Sequence, residues 1–132
     1  MKIASPLALA AVVGLAAFTA PIDQARASLS NAQLECIVET MAYDEPGIGY
    51  CESFWFPWTG TNPTTAVFSV VGLTPGGNYE FFWSESGCGN TSSCSRSIRT
   101  EQPVTVTVTI LDHSTSTFKQ VSATAFYWDA FN

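Results

Sequence analysis

Apolar and polar residues alternate along much of the chain, most cleanly over Val104–Asp112, VTVTVTILD. Val104, Val106, Val108 and Ile110 share one phase, and Thr105, Thr107, Thr109 and Leu111 share the other. Side chains of an extended strand point to opposite faces in turn, so the pattern predicts a half-buried β-strand with one apolar face. Its β-branched residues suit a pleated surface. Pro103 stands at its start, where a missing amide donor does least harm.

The same period predicts strands at 34–42, 48–56, 65–71, 79–84 and 118–128, and a short edge strand at 96–100 whose Arg96 and Arg99 discourage outside pairing. Asp44-Glu45-Pro46-Gly47 is a turn, which makes 34–42 and 48–56 a hairpin. Two prolines and a glycine make 57–63 a loop. The polar turn 112–117 pairs the opening strand with 118–128, where Val121, Ala123, Ala125 and Tyr127 form one face. About seven short strands and no helical stripe predict an all-β, immunoglobulin-like antiparallel two-sheet sandwich. A closed barrel is the alternative, and it needs a closure that pattern alone does not reveal.

The start of the chain reads differently. Met1-Lys2, the apolar run 7–18 and the Ala25-Arg26-Ala27 cleavage pattern make residues 1–27 a secretory signal peptide. The other reading, an uncleaved anchor, is disfavoured because a bilayer span needs about 18 apolar residues or more. Residues 28–132 are then a single secreted domain, extracellular or periplasmic, with no membrane attachment after cleavage. They keep three basic and ten acidic side chains, a net charge of −7. That charge repels phosphate backbones and anionic membrane surfaces, so nucleic acid is excluded as a partner.

Four cysteines, Cys36, Cys51, Cys88 and Cys94, in a small exported domain read as two disulfides. Three pairings are open. Cys36–Cys51 with Cys88–Cys94 is preferred, because each pair brackets one turn-rich segment. Those loops contribute about 3 and about 2.4 kcal/mol in the chain-entropy picture. A zinc site is disfavoured, since neither pair has C-x-x-C spacing and only His113 could assist.

Tyr79-Glu80-Phe81-Phe82-Trp83, a loop, and then Val104–Asp112 together resemble the PKD-type immunoglobulin-like modules of bacterial exported proteins. Such modules carry a Y-x-x-W-like strand, a glycine-containing loop and a T-V-T-V-x-D strand. This chain departs from them in the loop, which continues into a cysteine-bracketed segment. Leu73-Thr74-Pro75 with Tyr79 is similar to the L-x-P-x-x-x-Y tyrosine corner of fibronectin type III modules, although too many strands follow Tyr79 for that topology. The immunoglobulin-like order implies that Trp83 is buried against the opposite sheet, with the valine face of Val104–Asp112 meeting Trp83 and Phe81 from across the sandwich. It also implies a non-catalytic module, and it supplies no ligand.

Chemistry is sparse. His113 is the sole histidine, and Asp112 beside it points away on an extended chain, so no catalytic residue, metal or cofactor is assigned. Asp44, Glu45 and Asp112 lack the spacing of a calcium loop. Asn90-Thr91-Ser92 is a glycosylation sequon that matters only in a host that uses it. The richest stretch is 54–58, FWFPW. Trp55, Phe56 and Trp58 are the candidate binding residues, with Trp128 and Phe131 added on the same reasoning, because large rings outside a core suggest a contact surface. The other reading is that such rings cover the core or plug its open end.

These observations predict a secreted, non-catalytic, monomeric binding or adhesion module for carbohydrate or protein. The alternatives are an assembly subunit pairing through strand edges, with uncharged 104–110 the stickiest, and a protease inhibitor presenting 87–95.

Overall fold

A computed structural model describes residues 29–41, 44–58 and 60–131; the expected signal peptide 1–27 lies outside them. The described chain is all β, in two four-stranded sheets. Its eight strands are β1 (Gln33–Glu39), β2 (Gly47–Ile48), β3 (Tyr50–Trp55), β4 (Thr64–Val71), β5 (Tyr79–Trp83), β6 (Ser93–Ile98), β7 (Val104–Asp112) and β8 (Thr117–Asp129). One sheet runs β2-β1-β4-β6 and the other β3-β8-β7-β5. This is a two-sheet sandwich in which the segment 47–55 starts in one sheet as β2 and ends in the other as β3.

The inner faces follow the alternation. Val106, Val108 and Ile110 of β7 are buried with Ala123, Ala125 and Tyr127 of β8, and Leu34 and Val38 of β1 with Ala66 and Phe68 of β4 complete the core. β7 pairs with β8 from Val104↔Ala125 to Asp112↔Thr117, as the turn between them requires. On its other side β7 pairs with β5, Phe81↔Ile110 and Trp83↔Val108. One expectation is corrected here. Trp83 and Phe81 are neighbours of β7 in the same sheet, and Trp83 is half-buried at the margin of the core with Nε1 donating to Thr91 O at 2.8 Å. The strand 104–110, flanked on both sides, has no edge to offer an assembly partner.

The predicted hairpin is also corrected. Only Glu35↔Ile48 and Cys36↔Gly47 pair β1 with β2. At Gly49 the chain leaves that sheet, and β3 lies parallel to β8 in the other, with Tyr50↔Thr124 and Trp55↔Asp129. The fold is therefore not wholly antiparallel. Gly49 belongs to both sheets: its N–H donates to Leu34 O at 2.9 Å, and its carbonyl accepts from Thr124 N at 3.0 Å. Its φ of 74° lies in the left-handed region. A Cβ at Gly47 would sit 1.9 Å from Tyr50 O, so this crossing needs both glycines.

Both disulfides have the preferred pairing. Because of the crossing, Cys36–Cys51 joins β1 of one sheet to β3 of the other and is buried between them. Cys88–Cys94 closes the loop after β5 onto β6. That loop is held to both sheets. Asn90 Oδ1 accepts from Phe81 N at 2.8 Å, and Glu85 pairs with Arg96 at 3.0 Å. Arg96 lies in phase with buried Cys94 and Ile98, but its side chain is 42% exposed and leaves a charge on this edge strand. Ser93–Ser95 of the expected inhibitory segment 87–95 belong to this strand and do not project from it.

Candidate functional site

Parallel pairing of β3 and β8 decides which side chains share a surface. Cys51 and Ser53 point inward, as do Ala125 and Tyr127, so the opposite phase faces out: Tyr50, Glu52 and Phe54 on β3, beside Thr124, Phe126 and Trp128 on β8. Tyr50, Phe54 and Trp128 are large apolar side chains left roughly half exposed, at 47%, 49% and 38%. Phe126 and Trp128 lie with ring centroids 4.2 Å apart.

Glu52 organises this patch. Its Oε2 accepts from the Tyr50 hydroxyl at 2.8 Å and from Trp128 Nε1 at 2.8 Å. The indole bond first, and the phenol bond second, hold its carboxyl below the usual carboxylate range. The Tyr50 hydroxyl, donating to that carboxylate, is pushed above the usual phenol range, with burial and the Glu52 charge adding to the effect. At neutral pH the patch therefore carries a fixed anion between aromatic rings.

A second cluster lies where the two strands end. Two parallel strands leave a sheet at the same end, so the segments after Trp55 and Asp129 meet. There Phe56 lies 5.9 Å from Trp58 and 6.3 Å from Phe131, and Trp58 lies 5.1 Å from Phe131, centroid to centroid. Trp58 is 71% and Phe131 59% exposed, so neither plugs the core. The turn behind Phe56 is closed by Gly60 N donating to Phe56 O, and the last residues by Phe131 N donating to Asp129 Oδ1 at 3.0 Å. Across the neighbouring strands the same outer surface becomes a hydroxyl field, where Thr105 and Thr124 pair at 2.8 Å and Thr107 and Ser122 at 2.8 Å.

Of the three expected binding residues, the structure brings Phe56 and Trp58 together and separates Trp55 from them. Trp55 is on the inward phase of β3, packed against the core, and its buried Nε1 has no partner among the described residues. Trp128 packs against Phe126, and Phe131 packs with Trp58 in the second cluster. Tyr50, Glu52 and Phe126 are additions that the sequence reading missed. A signal was present: Tyr50, Glu52, Phe54 and Phe56 keep one phase, opposite to Cys51 and Ser53, and Phe126 and Trp128 keep the phase opposite to Ala125 and Tyr127. Rings on the wrong phase of a strand have to face out.

Elsewhere, His113 Nε2 contacts Glu80 Oε2 at 3.0 Å, while Asp112 Oδ1 accepts from Ser114 N and Oγ. Those contacts give no relay from carboxylate to ring to hydroxyl. Among the described residues, no three His, Cys, Asp or Glu side chains gather to hold a metal, and no helix is long and apolar enough to cross a membrane. No family model matches the chain, nor does any curated protein or solved structure.

Proposed function

We propose that residues 28–132 form a secreted, non-catalytic binding or adhesion module, released from the signal peptide 1–27 and acting as a monomer. The observation that carries this reading is two groups of solvent-facing rings: Tyr50, Phe54 and Trp128 around Glu52, with half-buried Phe126 against Trp128, and Phe56, Trp58 and Phe131 where β3 and β8 leave the sheet. Large rings grouped in solvent, instead of scattered singly, are the mark of a contact surface. Two disulfides suit an oxidising, extracellular-type compartment. Kinship with PKD-type modules belongs to the same reading, supported by the two-sheet sandwich and the Tyr79–Trp83 strand.

The test compares the mature protein with a Trp58→Ala, Phe131→Ala double variant. Both are presented to polysaccharides and to proteins released from cell surfaces. Ligand retained by the parent is lost from the variant if this surface binds. Identical retention by the two proteins sinks the proposal.

A further inference from the structure

We propose that the ligand of this surface is a neutral polysaccharide, its sugar rings lying on the aromatic side chains of β3, β8 and their continuations, and its hydroxyls donating to Glu52. The inference rests on the binding-module reading and names its ligand class.

Three features favour a sugar chain over a protein partner. The first is Glu52 itself. Tyr50 and Trp128 both donate to Oε2, which fixes the carboxylate, while no hydrogen bond among the described residues reaches Oε1. An apolar protein surface closing over these rings would bury that anion without a donor, and protein interfaces deplete their cores of charge for this reason. Adjacent hydroxyls of a sugar supply the missing donors. The apolar C–H face of the same sugar lies against the electron-rich face of a ring.

The second is the hydroxyl field. Thr105 with Thr124, and Thr107 with Ser122, form hydroxyl pairs on the same outer surface. A hydroxyl carries one donor and two acceptor sites, so each pair keeps capacity for a polar ligand.

The third is charge. Net charge of −7 over residues 28–132 and the ionised Glu52 turn polyanionic chains away. A neutral chain meets no such repulsion, and the salt dependence of binding separates it from a cationic one.

The experiment is depletion of the mature protein from solution by insoluble cellulose, chitin, xylan, β-1,3-glucan and mannan, at low and at high salt. Retention by at least one polymer is expected, competed by its soluble oligosaccharide and insensitive to salt. Trp58→Ala with Phe131→Ala should weaken it by roughly tenfold or more, the scale of a lost aromatic anchor. Glu52→Gln, which keeps the shape and removes the anion, should weaken it several-fold. An unchanged thermal midpoint shows that each variant is folded.

Failure of all five polymers to retain the protein overturns the inference, as does retention that salt abolishes, the behaviour of an ionic ligand. If the ring variant instead loses a cell-surface protein, the glycan class is wrong and the binding module stands. If it keeps every ligand of the parent, both readings fall.

Discussion

Asp112 shows what one side chain does at the end of a strand. It is fully buried, in phase with Val106, Val108 and Ile110, although it opens the polar turn 112–117. Its Oδ1 takes the Ser114 N–H at 2.9 Å and the Ser114 hydroxyl at 2.5 Å. The Ser114 hydroxyl is the largest influence holding its carboxyl below the usual range, against a burial penalty in the other direction. A carboxyl that protonates less readily when folded contributes stability at neutral pH and loses it as pH falls below about 4. The thermal midpoint should therefore drop between pH 5 and pH 3, and drop less in Asp112→Asn, which cannot titrate. Alternation placed this residue correctly; its turn-like neighbours concealed the burial. Gly49 is the second decisive residue. Gly49→Ala forces a side chain into a left-handed conformation at a cost of about 1–2 kcal/mol, measurable by urea denaturation.

At the scale of elements, most strands could be read from period alone, because burial of one face imposes it. The exception is the division of 48–56 into β2 and β3. Ile48, Tyr50, Glu52 and Phe54 continue one phase without interruption, so nothing local marks the point where the chain changes partners. Partner choice is a tertiary property, and only the Gly47-Ile48-Gly49 spacing hints at it. The candidate site suffered for the same reason: the 54–58 stretch was legible, but its companions on β8 required the parallel pairing. The crossing also changes what Cys36–Cys51 does, from closing a hairpin to tying two sheets together. Replacing both cysteines with alanine should cost about 3 kcal/mol, seen as a lower denaturation midpoint. The loop of Cys88–Cys94 is shorter, with a separation of 6 against 15, so its loss should cost less.

For the whole molecule, stability and recognition occupy different surfaces. Phe68 and Tyr127 are completely buried, and Phe68→Ala should cost about 3–5 kcal/mol. Trp58→Ala with Phe131→Ala should stay within about 0.5 kcal/mol of the parent, since both rings are mostly in solvent. Calorimetry on these two variants checks the separation directly. The pairing of β3 with β8 has one more consequence, in time. Tyr50 meets Thr124, so β3 has no hydrogen-bonding neighbour until the last strand exists. Contacts so distant in sequence form slowly, because a long loop must close before they contribute anything. A chain emerging from its amino-terminal end carries an unpaired β3 through nearly all of its synthesis. Truncation ahead of β8 would deprive β3 and β7 of a partner together, leaving two bare edges ready to join other chains.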